Sequence, residues 1–352
     1  MNEVVFFTGF PGFLGSKLLP LVLARRAGAR AVCLVQDKFL ALAQRRAQQL
    51  ELDLELVSGD ITAPGLGLGQ PEWQAQVVEV YHLAAIYDLA VARPLGLRVN
   101  LDGTRNTLDF AAACTNLERF QYVSTCYVSG RYCGIFGETD LDLGQTFNNY
   151  YEESKFLAEV QVQKAMEGGL PATIYRPSIV VGDSHTGFTQ KYDGPYYLLK
   201  LLLRQPSGLA LVPTVGDPAR VRVNLVPSDF VVEAIGRLGG LESSLGKVYQ
   251  LSDPRPVTGD ELITECARLT GRRSVRVPLP LGLSKWLLSL GPVARLAQVP
   301  AASLDYFVHP THYTNHQTAR DLDLEVPHLF SYLPRLIDFL RAHPQADLGA
   351  LS

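Results

Sequence analysis

An excess of either charge is almost missing from this chain: 32 lysines and arginines stand against 35 aspartates and glutamates, for a net charge of -3. So balanced a chain is not drawn to DNA, RNA or an anionic membrane, and nucleic-acid partners are not expected. Cysteine is scarce too. Cys33, Cys114, Cys126, Cys133 and Cys266 form an odd set without metal-ligand spacing, which argues against a zinc framework. Cys33 and Cys114 fall in apolar segments and read as small core residues, as in a reducing compartment. His309, His312 and His316 are separated by Pro310 and mixed loop residues, so turn positions are expected rather than a metal site. No internal repeat or low-complexity tract occurs, and no basic region or cleavage site precedes the first apolar run. The expected location is the cytoplasm. A long unbroken apolar run is also absent. Region 277–301 holds Trp286 and only Lys285 and Arg295 as charges, but Pro278, Pro280, Gly282, Gly291 and Pro292 interrupt it. These interruptions argue against one spanning helix. The region reads as a helical lid or wall over an apolar substrate, with ordinary core or a peripheral membrane contact as the alternatives.

What is present starts at the N-terminus. The run Val4 to Phe7 leads into TGFPGFLG, residues 8–15, and then into an amphipathic stretch to about Arg26. Strand, tight turn and helix are expected, and the apolar run Ala31 to Val35 completes a βαβ unit. Gly9 would make the sharp turn, Gly12 would let the backbone approach a pyrophosphate, and Gly15 would let the helix pack on the sheet. Two phosphates would then sit at the positive end of that helix, on amides that lack internal partners.

Apolar strands and helices keep alternating: Leu54 to Val57, Val77 to Leu83, a helix from about Pro94 to Cys114, Phe120 to Val123, a helix from Tyr151 to Glu167, and Ala172 to Tyr175. This pattern predicts an α/β fold with a doubly wound, mostly parallel sheet covered on both faces. After Gly182 the texture loosens, so residues 1–182 are expected to bind the dinucleotide and residues 183–352 mainly to form a smaller substrate lobe. Segments 223–237 and 248–251 look like returns to the first domain, which makes the lobes interleaved.

Tyr151 and Lys155 lie four apart on one helix face. An adjacent ammonium would lower the phenol pKa by favouring phenolate, which poises the pair for proton exchange with a substrate oxygen. The competing frame, Tyr150 with Ser154, lacks a cation. Just upstream, strand Phe120 to Val123 runs into Ser124, Thr125, Cys126 and Tyr127. Either hydroxyl could hold a substrate oxygen, with a turn or cap as the ordinary role. Cys126 has no histidine near it in sequence to activate it as a nucleophile. Phe188, Tyr192, Tyr196 and Tyr197 lead into LLKLLLRQ and are candidates for an apolar substrate wall, with core packing as the alternative; Lys191 or Arg204 would meet CoA phosphates.

In order along the chain stand TGFPGFLG, GDIT at Gly59 to Thr62, HLAA at His82 to Ala85, VNLDGT at Val99 to Thr104, VSTCYVSG at Val123 to Gly130, YEESK at Tyr151 to Lys155 and YRPSIVVG at Tyr175 to Gly182. Over about 185 residues the chain resembles the extended short-chain dehydrogenase/reductase superfamily. That resemblance implies a Rossmann-type fold, Tyr151 as catalytic acid/base, Lys155 holding the nicotinamide ribose, Thr125 binding the substrate oxygen and Asn100 as the asparagine after the fourth strand. It further implies cofactor contacts from Thr8, Gly9, Pro11, Gly12, Phe13, Leu14 and Gly15, from Asp60 and Ile61 at the adenine, from Ala84 and Ala85, and from Pro177, Ser178 and Ile179 beside the nicotinamide. Within the superfamily it most resembles fatty acyl-CoA reductases and the thioester-reductase domains of carboxylic acid reductases and peptide synthetases. Such enzymes use NADPH to reduce an acyl thioester to the aldehyde, some continuing to the alcohol, and imply acyl-CoA or a separate acyl carrier protein as the source of substrate. Those enzymes usually present arginine where this chain has Gln36, so Lys38, Arg45 or Arg46 would supply the charge for a 2'-phosphate. NADP(H) is expected ahead of NAD(H). The runner-up is a dehydrogenase of bulky apolar aldehydes, ketones or alcohols, similar to a 3-hydroxysteroid dehydrogenase. A sugar-nucleotide epimerase or dehydratase and a non-catalytic NADP(H)-binding regulator rank lower.

Overall fold

The computed structural model describes residues 3–290 and 299–345. Five apolar runs form β1 (Val4–Thr8), β2 (Arg30–Val35), β3 (Leu54–Ser58), β4 (Val77–His82) and β5 (Arg119–Val123). Strands Ala172–Pro177 and Val248–Leu251 join them in one seven-stranded sheet, ordered Val248–Leu251, Ala172–Pro177, β5, β4, β1, β2, β3. Every neighbouring pair is parallel. Because β1 is wholly buried, its side chains face apolar cover on both sides; full burial of each large apolar one contributes about 1.5–3 kcal/mol. One face of the sheet packs on α1 (Phe13–Arg25) and the Ser228–Leu238 helix, and the other on Phe110, Ala158 and Val162 from later helices. Strand order reverses between β1 and β4, and in open α/β sheets a ligand crevice lies at that switch point.

The helical stretch expected from Pro94 to Cys114 is not a single regular helix. A short turn at Arg93–Gly96 passes into a wide π-type turn at Leu97–Asp102 and then into the helix Gly103–Ala112. The widened turn contains Asn100 and buries it, and such turns are frequent at functional sites.

Beyond Gly182 a second core gathers Leu198, Leu199 and Leu202 of the Pro195–Arg204 helix, Leu262 and Ile263 of the Gly259–Leu269 helix, and Leu333, Leu336 and Ile337 of the Leu329–Ala342 helix. Strand Leu225–Pro227 pairs in parallel with Ile179–Val181, while Phe230, Val231 and Ile235 of the following helix join the main core. Strand Val248–Leu251 is the outer strand of the large sheet. The smaller lobe is thus threaded through the larger one. Region 277–301 contributes the end of a strand at Pro278 and the helix Leu281–Ser289, with Trp286 57% exposed; Gly291, Pro292 and Arg295 lie outside the described residues. Among the described residues, no helix is long and apolar enough to cross a membrane.

Candidate functional site

At the end of β1 the chain turns at Gly9, whose φ of +94° lies in the region that glycine tolerates. A Cβ there would also come within 2.8 Å of Leu83. Gly15 lies in the first turn of α1, where a Cβ would meet the Gly9 carbonyl oxygen at 2.5 Å. Gly12 is the N-cap and no side chain caps the helix. The first amides of α1, from Phe13, Leu14 and Gly15, therefore stay available to an anion at the positive helix end. Pro11 and Ser16 close the turn, the Ser16 hydroxyl donating to the Pro11 carbonyl at 2.9 Å. These features suit a dinucleotide pyrophosphate. Replacing Gly15 by Ala should force α1 off the strand and raise the cofactor Kd about tenfold, the scale of an overpacked contact, as nucleotide titration by fluorescence would report.

At the end of β2, the Gln36 amide donates to the Asp60 carboxylate at 2.9 Å. Asp60 also accepts from the Thr62 amide at 2.8 Å. Asp37 accepts from the Ser58 hydroxyl. Lys38 and Arg45 are exposed, the ammonium of Lys38 lying 4.6 Å from the Phe39 ring centre. Ile61 packs into the core against Gly103, where a Cβ would fall 2.7 Å from its terminal carbon. The Ala84 amide donates to the Thr8 hydroxyl at 3.2 Å, and Ala85 is exposed beside it. Asn100 accepts from the Ile86 amide at 2.9 Å and donates to Ser154 at 2.9 Å. It ties the segment after β4 to the Tyr150–Glu167 helix.

That helix starts from Asn149, whose side chain accepts from the Glu152 amide. Tyr151 is buried at 7% exposure, whereas Tyr150 is 48% exposed. Burial pushes the Tyr151 phenol well up, while the Thr125 hydroxyl beside it acts in the opposite sense. The expected lowering by Lys155 is not what the structure shows. The Lys155 amine donates instead to the Tyr122 hydroxyl at 2.9 Å and the Val123 carbonyl at 2.8 Å. Burial pulls this amine down to about 7, against the field of Glu159. Thr125 accepts from the Tyr127 amide at 3.3 Å and donates to the Pro177 carbonyl at 3.4 Å, so it bridges the end of β5 to the loop Pro177–Ile179. In that loop the buried Ser178 hydroxyl has no protein partner, and a polar atom so placed fits the amide of a nicotinamide.

Aromatic side chains line the approach. Tyr87 meets Tyr151 edge-on at 5.1 Å and Tyr306 meets Tyr127 edge-on at 4.6 Å. The segment holding Tyr306 is braced by the helix Leu281–Ser289 through Lys285, which donates to Asp305 at 2.7 Å. Helix Leu281–Ser289 is thereby joined to the segment whose Tyr306 packs on Tyr127.

Several candidate residues serve elsewhere. Ser124 donates its hydroxyl to the buried Glu159 carboxylate at 2.5 Å. Tyr196 is a core residue whose hydroxyl accepts from the Gly182 amide at 3.0 Å. Tyr192 packs on Tyr196 and donates to the His343 carbonyl at 2.7 Å. Phe188 packs between Phe13 and Phe339, on the side of the glycine turn. Ser124, Tyr192 and Tyr196 thus have buried or backbone partners that the sequence does not display. Tyr87, Tyr122 and Tyr306 stand beside these residues without any spacing in the sequence that singles them out together. Tyr122 alone carried a signal, a polar ring in an apolar strand two residues before Ser124.

A family model described as male sterility protein matches residues 7–235. A curated peptide synthetase, the non-canonical nonribosomal peptide synthetase FrzA of Cladobotryum sp, is 26% identical over 96% of this chain, which spans 36% of that protein. The fatty acyl-CoA reductase wat of Drosophila melanogaster is 27% identical over 66% of this chain, and 53% of its own length is covered. The crystal structure of the terminal R domain from the myxalamid PKS-NRPS pathway superimposes with a TM-score of 0.79 at 26% identity, covering 100% of this chain and 93% of that one. The match over residues 7–235, on a parallel sheet with this glycine turn, establishes that the chain belongs to the male sterility protein family of NAD(P)-binding proteins and is an oxidoreductase of the extended short-chain dehydrogenase/reductase superfamily, related to fatty acyl and thioester reductase domains.

Proposed function

We propose that this protein reduces a fatty acyl thioester to its aldehyde with NADPH, Tyr151 giving the proton. The observation that carries this reading is the convergence of Thr125, Tyr151 and the Pro177–Ile179 loop at the carboxyl end of β5, close to the switch point of the sheet. The glycine turn, Asp60, Ala84, Ala85 and Ser178 are the residues that would hold the dinucleotide, which supplies a hydride when bound. Thr125 hydrogen-bonds the carbonyl oxygen and fixes its distance from the phenol. Tyr151 neutralises the negative charge that develops there, and the Lys155 ammonium stabilises the phenolate left behind. A thioester so reduced becomes a hemithioacetal, which separates into aldehyde and thiol.

Gln36 is committed to Asp60, which leaves exposed Lys38 and Arg45 as the cations for a 2'-phosphate and favours NADP(H). Lys191, 5.5 Å from the ring centre of Tyr87, stands over the entrance, where an anionic CoA or carrier-borne phosphopantetheine arm would pass. With a division near Gly182, the dinucleotide would lie in the first lobe and the acyl chain between the two.

Purified protein given long-chain acyl-CoA should oxidise NADPH faster than NADH and release one free thiol per aldehyde. Oxidation only with aldehydes or ketones would replace the thioester reading with that of a bulky-carbonyl reductase, and no oxidation with either would remove the reductase reading.

A further inference from the structure

Behind the cleft a chain of buried polar side chains crosses three neighbouring strands. Its first link is Tyr122 on β5, whose hydroxyl accepts from Lys155 at 2.9 Å while the amine lies 4.4 Å from the ring centre. The Thr104 hydroxyl beside this phenol favours its ionised form, against the effect of burial. Thr104 is 3.1 Å from His82 Nε2 at the end of β4, and His82 Nδ1 is 2.9 Å from the Thr8 hydroxyl at the end of β1. The His82 and Tyr122 rings stack at 5.7 Å. All five side chains are at most 3% exposed.

One assignment of protons satisfies the whole chain. Thr104 donates to the Asn100 carbonyl at 2.6 Å, which leaves a lone pair for His82 at 3.1 Å. His82 then carries its proton on Nε2, and Nδ1 accepts from Thr8. Thr8 in turn accepts from the Ala84 amide at 3.2 Å. No group has two donors opposed. A buried network fully satisfied in one direction is rigid, whereas one missing link leaves an expensive orphan.

We propose that Tyr122, Thr104 and His82 are positioning residues that hold Lys155 and tie it to Thr8, so that the amine and the glycine turn keep one fixed separation. With two of its hydrogens committed to Tyr122 and Val123, the ammonium has a single direction left for its third. The inference rests on the reading of Lys155 as part of the reductase site. The charged and titratable groups facing the amine are His82 on β4, Tyr122 on β5 and Glu159 on its own helix, the last paired with Arg176. Burial and the charge of Lys155 pull His82 down to about 3, which keeps the ring neutral and its tautomer fixed.

Lysine labelled with 13C at Cε, assigned through Lys155→Met, gives the titration midpoint of the amine by NMR without any turnover. Tyr122→Phe removes an acceptor of the charged form and should lower that midpoint by about half a unit or more. It should also lower kcat about tenfold, the scale of one charge-assisted bond, with KM for the carbonyl unchanged. Thr104→Val, nearly isosteric, should move both readouts in the same direction and guards against a folding defect in the first variant. His82→Gln can still donate to Thr104 and accept from Thr8 and should keep kcat within about threefold, whereas His82→Leu should not. An unmoved midpoint in folded Tyr122→Phe, or equal kcat values for the two His82 variants, would overturn the proposal. Were the wild type inactive on every carbonyl, the reductase reading would fall, and the NMR midpoint would still decide whether Tyr122 holds the amine.

Discussion

Tyr151→Phe is expected to lower kcat/KM for carbonyl reduction by about a thousandfold while leaving the cofactor Kd within about threefold. The substitution removes one oxygen from a ring that stays buried against Tyr87, so packing is retained and only proton donation is lost. A raised phenol is a weak acid in isolation. It becomes a competent donor because the carbonyl oxygen turns strongly basic as hydride arrives, so a neutral Tyr151 before reaction and a phenolate after it are the states required. The pH dependence follows from Lys155. An amine drawn down to about 7 is charged below that pH and neutral above it, so stabilisation of phenolate fades as pH rises through 7. The profile of kcat/KM, which reports the free enzyme, should therefore fall on its alkaline side near pH 7. Retained turnover in the phenylalanine variant, measured by aldehyde formation and not by NADPH oxidation alone, would show that another group donates the proton.

The parts of this site that were legible in the sequence are those imposed by backbone geometry. Gly9 and Gly15 are readable because each excludes a Cβ for a local reason, a turn in one case and helix-to-strand contact in the other. That Tyr151 and Lys155 share one face of a helix is readable because four residues make one helical turn, although the spacing alone assigns them no role. The continuous apolar run of β1 announces a strand buried on both faces. What was not legible depends on partners remote in the chain. The partner of the Ser124 hydroxyl is the buried Glu159 carboxylate, 35 residues on. Tyr196 and Tyr192 have the composition of an apolar wall, yet the helix Pro195–Arg204 turns Tyr196 into the second core and Tyr192 packs there from the preceding loop. The expectation for Lys155 failed on direction. Four residues' separation brings two side chains to one face, but the amine follows its better acceptors, a carbonyl and a phenol on β5.

Arg176→Met should destabilise the fold by about 3–5 kcal/mol, the largest stability effect expected of a single substitution here. Arg176 and Glu159 are both wholly buried and paired at 2.6 Å. The guanidinium also donates to the Gly137 and Asp140 carbonyls, at 3.2 and 2.7 Å, and faces the Phe136 ring at 5.3 Å. Removing it strands the Glu159 carboxylate in a dry interior, where its remaining donors are Ser124 and Gln163. The cost arises from that unpaired charge more than from any net attraction the pair contributes, because desolvating two ions offsets most of their Coulomb gain. A test of this account follows. Adding Glu159→Gln to Arg176→Met should recover at least half of the loss, since the stranded charge disappears, although the two carbonyls remain short of a donor. Unfolding midpoints in urea for the two single variants and the double variant give the cycle. If the double variant is less stable than Arg176→Met, the pair's own attraction, not the orphaned carboxylate, dominates. The same cycle bears on the site, because Glu159 accepts from Ser124 and Ser124 precedes Thr125. Loosening the ion pair should release the end of β5, so the double variant should regain stability more fully than it regains kcat.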